Sequence, residues 1–276
     1  MDERIYLARA ALHMWEEPCI SGTKGSGAVF FSGCGLRCCF CQNHDIAIGS
    51  RGRAVSVERL GEIFLELKEK GAANINLVTG AHYVPQIIEA LDMARRKGLD
   101  IPVVYNSSGY EKTETLKLLE GYVDIYLPDL KYLDPELAQK FSYAPDYVQA
   151  AKAAIREMVR QTGKCEFGED GYIRKGTIVR HLILPGHTGN SIKALRYLHE
   201  TYGEDIYISI MNQYTPVRKF VEFKELNRKV TKREYEKVLD AAVDMGIQNG
   251  FIQEGETASE SFIPDFDYEG VEKNTP

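Results

Sequence analysis

The sequence has no long apolar run, no basic excess, no low-complexity tract and no internal repeat. Each absence removes a class of function. Without a stretch approaching ~20 apolar residues, no segment reads as a membrane-spanning helix. A formal net charge of -6 gives no cationic field for a phosphate backbone, so nucleic acid is a poor expectation as a partner. The opening "MDERIYLARAALHMWEEP" carries neither the basic n-region nor the apolar h-region of a secretory signal. The expected location is therefore the cytoplasm, where thiols stay reduced and clustered cysteines bind metal more often than they pair. No linker is evident, so residues 1–260 read as one domain and 261–276 as a tail, loosely packed with a disordered end.

What is present is ordinary globular composition and a regular alternation. Short apolar runs fall at 27–31, 74–79, 101–106, 123–129, 177–185, 205–211 and 250–253. Several are apolar throughout, as in parallel strands covered on both faces. Between them lie amphipathic stretches with helix start and stop chemistry: Ser56 to Gly71, the run after Tyr83 with Pro85 in its first turn and Gly98 at its end, and Thr231 to Gly246. About six strand–helix–strand units favour a full or partial β/α barrel over a doubly wound sheet. Two stretches break the order: an extra helix over 141–162, and a hairpin over 163–180 turning at Glu169-Asp170-Gly171. In either architecture the polar residues just after the strands converge at one end.

Four of the six cysteines crowd into "CGLRCCFC", Cys34 to Cys41. Cys34, Cys38 and Cys41 stand as C-x3-C-x2-C on a glycine-punctuated loop. A four-iron cluster normally takes four cysteines, so three from this loop would leave one iron open to a ligand. The alternative is a closed Cys3His zinc site completed by His44. Cys19 and Cys165 stand alone and suit small buried hydrophobes.

The spacing, with Phe40 before the last cysteine, resembles the signature loop of radical S-adenosylmethionine (SAM) enzymes. The continuation "GCGLRCCFCQNHDI", with "NLVTGAHYVPQI", "YNSSGYE" and "DIYLPDLKY", is similar to the activating enzymes of glycyl radical proteins, the pyruvate formate-lyase activase branch. The resemblance runs over roughly residues 6–255. It implies a partial (β/α)6-type TIM-like barrel of parallel strands with a helix-hairpin insertion near 141–180 and a C-terminal tail. It implies a [4Fe-4S] cluster on Cys34, Cys38 and Cys41, SAM on the remaining iron, and a 5′-deoxyadenosyl radical that abstracts a hydrogen atom. The implied partners are a glycyl radical protein and an electron donor such as flavodoxin or ferredoxin. Cys39 fits no ligand position and is expected to turn away, and His44 reads as a polar loop residue.

The same resemblance assigns SAM contacts after the strands. Thr79 stands where the family carries Gly-Gly-Glu, so its hydroxyl or nearby carbonyls take over the amino-group contact. Asn106 and Ser107 suit the ribose or the methionine portion. Asp129 and Lys131, two residues apart on an extended chain, point to one side and match the Asp-x-Lys motif. Arg180 is placed against the SAM carboxylate, while His181 alternates to the other face. Asn212 and Gln213 replace a family histidine and are assigned to adenine or ribose. A small metabolite, a peptide or a tRNA base remains open as the target, as does a non-enzymatic zinc protein. No second cysteine cluster of the kind some activases carry is present.

Overall fold

A computed structural model describes residues 4–253 and 264–272. The strands are β1 (Ile5–His13), β2 (Ser26–Phe31), β3 (Arg53–Val55), β4 (Ile75–Val78), β5 (Val103–Ser107), β6 (Ile125–Pro128), β7 (Glu166–Phe167), β8 (Ile173–Leu182), β9 (Tyr207–Met211) and β10 (Gly250–Ile252). The helices are α1 (Pro18–Ser21), α2 (His44–Ala47), α3 (Val57–Glu69), α4 (Val84–Arg96), α5 (Thr113–Leu118), α6 (Pro135–Ser142), α7 (Tyr147–Thr162), α8 (Thr188–Tyr202) and α9 (Lys232–Asp244).

The sheet order is β10-β9-β8-β6-β5-β4-β2-β1-β3. Along this path from β2 to β10 every pairing is parallel and each strand lies next to the one before it on the path; β7 pairs β8 off the path. A doubly wound sheet reverses direction at a switch point. This one never does, so it curls as a partial barrel that does not close. The antiparallel pair β1–β3 forms one edge and β10 the other. Among the described residues no helix is long and apolar enough to cross a membrane.

The helix boundaries follow local chemistry. Ser56 caps α3 by accepting the Arg59 N–H, and Thr231 with Glu234 forms a reciprocal capping box at α9. The apolar stripes of α3 and α4, including Leu60, Phe64, Ile87 and Leu91, pack on Val29, Phe31, Leu77 and Tyr105 from the outer face of the sheet. Alternate strand residues point inward. Val104, Ile125, Leu127 and Ile178 close over Cys19 and Ile20, so the loop after β1 plugs the floor of the barrel.

Several expectations change. The extra helix does not run over 141–162: residues 141–142 end α6, Tyr143 adopts a left-handed backbone, and α7 starts at Tyr147. Nor is α7 an insertion, because it packs on β6 and β8 and serves as their crossover. The hairpin is real, with β7 pairing β8, but its second arm is continuous with the barrel strand. The sequence pattern also missed β1, whose residues bond on both sides. The supposed loose tail is docked at 264–272. The Ala10 N–H donates to Glu269 O, the Tyr268 N–H to Ala8 O, and Arg9 binds Asp267 and Glu269. The 260/261 domain boundary and the chain's last four positions lie outside the described residues.

Candidate functional site

The open barrel encloses a cavity of about 530 Å³, within the range of small-molecule and cofactor sites. Its wall begins at the loop after β2. Gly33 turns there with φ +102, where a Cβ would press on the His82 ring, and its N–H bonds Ile46 O at 2.7 Å. Cys34, Cys38 and Cys41 all line the cavity. Leu36 N–H donates to Cys34 Sγ at 3.4 Å and Ser142 Oγ to Cys38 Sγ at 3.0 Å. Such donors favour thiolate over thiol. Without iron, burial pushes the Cys34 thiol up, and burial reinforced by the charge of Cys38 takes Cys41 to about 12.

Cys39 faces elsewhere. Its N–H bonds Phe141 O at 2.8 Å, and its side chain packs with Leu36, Phe40 and Phe141 in the core. Burial pushes its thiol up to about 11. The His44 side chain is half exposed, 3.7 Å from Asp45, and is not on the cavity wall. Among the described residues no three His, Cys, Asp or Glu side chains converge on one ion. A cuboidal cluster, held at three separate corners, needs no such convergence. Three soft thiols on one wall, with the fourth turned into the core, fit a cluster bound through three cysteines.

From the cysteines a chain of ion pairs crosses the cavity. Lys131 Nζ donates to Asp129 Oδ2 at 2.6 Å. Arg180 Nε donates to Asp129 Oδ1 at 3.2 Å, its Nη1 to Glu16 Oε2 at 3.0 Å and its Nη2 to Asn106 Oδ1 at 2.5 Å. Asn106 and Asn76 each donate to Glu16 Oε1. Burial alone would raise Asp129, but Lys131 and Arg180 hold it below its ordinary value. Burial alone would lower Lys131 and Arg180, but Asp129 raises both above their usual ranges. The loop Asn106–Glu111 is fixed by Gly109, with φ +73, where any Cβ would collide with the Asp129 carbonyl.

The structure brings most of the expected contacts together. Thr79, Asn106, Ser107, Asp129, Lys131, Arg180 and Gln213 line the same cavity as the three cysteines. Thr79 sits at φ 62, a conformation a β-branched residue adopts only under strain, and its N–H bonds Asn106 O at 2.9 Å. Ser107 Oγ accepts the Gly109 N–H at 3.1 Å, so its hydroxyl also shapes the turn. One placement differs from expectation. Asn212 is not on the wall: alternation along the chain sends it aside, and its backbone N–H bonds Gln253 Oε1. Arg180 is on the wall as expected, but Nε, Nη1 and Nη2 each already have one acceptor. The sequence pattern missed Glu16 and Glu17, since their loop follows an antiparallel strand, β1, and enters the barrel from the floor. No strand-end rule points there.

His181 faces the other side of β8, as alternation requires. Its Nδ1–H donates to Leu130 O at 2.6 Å, and Ser191 Oγ bonds its Nε2 at 2.9 Å. Burial lowers the imidazole to about 4, so it is neutral and pins α8 to the backbone between Asp129 and Lys131.

The chain is also similar to known proteins. The family model of the radical SAM superfamily matches residues 28–198. An uncharacterized protein of Methanocaldococcus jannaschii, MJ0674, is 28% identical over 244 residues, covering 86% of this chain and 67% of the relative. The pyruvate formate-lyase-activating enzyme of Clostridium pasteurianum is 27% identical over 113 residues, covering 39% of this chain and 46% of that enzyme. Streptococcus suis SuiB, solved with its precursor peptide SuiA, superposes with TM-score 0.54 at 14% identity, over 82% of this chain and 47% of that one. Methylornithine synthase superposes with TM-score 0.52 at 13% identity, over 95% and 79%. The chain thus spans about half of the SuiB chain it matches, and these structural likenesses establish the fold. With the family model covering more than half of its length, the chain belongs to the radical SAM superfamily, whose enzymes use a [4Fe-4S] cluster and SAM.

Proposed function

We propose that this radical SAM enzyme takes a hydrogen atom from a glycine of a partner protein, as a glycyl-radical activase. The supporting observation is the one cavity that holds Cys34, Cys38 and Cys41 at one end and the Lys131–Asp129–Arg180 ion pairs beside them. In this reading the three thiolates hold the cluster. Lys131 and Asp129 take the carboxylate and amino groups of the methionine portion of SAM, and Thr79, Asn106, Ser107 and Gln213 orient the remainder. When bound, cluster and SAM supply one-electron carbon–sulfur cleavage and a hydrogen-abstracting 5′-deoxyadenosyl radical. The chain's own contribution is positioning and exclusion of water. Asp129 and Lys131, each 18% exposed, are fixed before any ligand arrives, so little ordering cost falls on binding. Partial likeness to the clostridial activating enzyme favours a glycyl target. A small acidic electron carrier such as flavodoxin or ferredoxin is the proposed reductant.

The test is anaerobic reconstitution with iron and sulfide, reduction, and quantification of 5′-deoxyadenosine. A candidate glycyl radical protein is then added, and electron paramagnetic resonance is read for a glycine-centred signal. Cleavage of SAM without that signal on any glycyl radical protein would refute the activase reading. No cleavage by a fully loaded, reduced protein would refute the reading of the cavity as a SAM-cleaving site.

A further inference from the structure

Glu17 is 8% exposed and lines the same cavity, yet its Oε2 has no hydrogen-bond partner among the described residues. The loop that carries it cannot swing to find one. Glu17 O accepts the Ile20 N–H at 2.7 Å and the Ser21 N–H at 3.1 Å. Ser21 Oγ is held by Met14 O and Glu16 O, and Asn74 Nδ2 donates to Ile20 O at 2.8 Å. Cys19 and Ile20 are packed into the barrel floor. A buried carboxylate oxygen without a partner costs free energy unless a ligand completes it.

The charges on the wall say what that ligand carries. Among the described lining residues the acidic side chains are Glu16, Glu17 and Asp129, and the basic ones are Lys131 and Arg180, with His13. Burial, then the charges of Arg180 and Arg9, lowers His13, so it adds no cation. Glu16 and Asp129 balance the charges of Arg180 and Lys131. Glu17 is left over. Burial pushes its carboxyl up, with the push of Glu16, against the pull of Arg180 and of hydrogen bonds from its own backbone N–H and from Ser209; only Oε2 is left without a partner. The cofactors do not supply the missing cation. SAM carries one net positive charge, and an oxidised cluster on three thiolates carries one net negative charge, so the two cancel. Glu17 also lies at the far end of the ion-pair chain. The chain runs Lys131–Asp129–Arg180–Glu16, and Glu17 follows Glu16 in sequence. The wall around it includes the apolar faces of Trp15, Phe30, Met211 and Phe251.

We propose that Glu17 anchors the substrate, and that the substrate presents a cationic nitrogen on a short apolar stem to its free carboxylate oxygen. This rests on the reading of the cavity as the site where the radical meets its target. The nitrogen belongs either to a free amine or to a lysine side chain of a peptide segment. Both make the same ion pair, and the two are separated by the probes.

Cluster-loaded, SAM-bound protein is titrated anaerobically by calorimetry, with the fluorescence of Trp15, the chain's single tryptophan, as a second reading of cavity occupancy. One arm compares phenethylammonium with phenethyl alcohol. The other compares N-acetyl-Gly-Lys-Gly-amide with its norleucine analogue. In at least one arm the cation should bind about tenfold or more tightly than its neutral isostere, and the Glu17→Gln variant should reduce that preference to near unity. The arm that responds identifies the source. Equal binding of cation and isostere in both arms overturns the proposal, and this comparison needs no variant. A preference that survives in Glu17→Gln overturns it equally. Because the readout is binding, a missing glycyl radical would refute the activase reading and leave the anchor standing.

Discussion

Glu111 ends the loop that carries Asn106 and Ser107 into the cavity, and it offers a stability test of that loop. The carboxyl is 8% exposed, within 3.4 Å of the Tyr105 hydroxyl. Burial raises it from 4.5 to about 7, only partly opposed by hydrogen bonds from Ser107 and Tyr105. In the unfolded chain the group ionises near its ordinary value, while the folded protein resists until about pH 7. Folding stability therefore falls as pH rises through that window and levels off above it. At 1.36 kcal/mol per pH unit the full loss is about 3 kcal/mol. Glu111→Gln removes the ionisation and keeps the shape. The variant should match the wild type near pH 4 and exceed it by up to about 3 kcal/mol near pH 8. Urea unfolding of both proteins at the two pH values, with the cluster-free chain, gives the comparison. A stability difference that does not change with pH would refute the reasoning.

Cys34→Ala, Cys38→Ala and Cys41→Ala should each abolish iron retention after reconstitution, measured by iron analysis and visible absorption. Cys39→Ala should keep the iron and lose only about 1 kcal/mol of stability from its packed site; loss of iron from it would show that the wrong thiols were chosen. For His181, burial lowers the imidazole to about 4, so its stabilising contribution is complete above pH 6.5. That contribution falls by about 3 kcal/mol as pH drops toward 4. His181→Leu should cost about 2 kcal/mol at neutral pH by leaving Leu130 O and Ser191 unpaired. It should also flatten the acid limb of the denaturation profile, and an unchanged limb would be the contrary result. Thr79→Gly should raise stability by about 1 kcal/mol by releasing the strained backbone and should weaken SAM binding in equilibrium dialysis. A gain in stability with unchanged binding would remove Thr79 from the SAM contacts.

The cysteine loop, the strand ends and the helix caps were legible because their determinants are local. A C-x3-C-x2-C spacing, an alternation that sets Asp129 and Lys131 on one side, and a serine or threonine before an amphipathic run act within a few residues. The order of strand and helix restricted the architecture to a parallel α/β fold. The absence of any reversal in strand order then gave the open barrel.

Contacts distant in sequence decided the rest. Arg180 reads as a free guanidinium until Glu16, 164 residues away, is found beside it. Asn212 and Gln213 are indistinguishable by type, and only the path after β9 puts Gln213 on the wall. Glu17 looks like one more acidic residue in "WEEP"; the antiparallel β1 turns it into the barrel floor and leaves its oxygen without a partner. Local sequence fixes which groups are able to bind metal and cap helices, because those interactions span one turn. Which charges neutralise one another, and which one is left for a ligand, depends on low-dielectric contacts that exist only once the chain has folded around them.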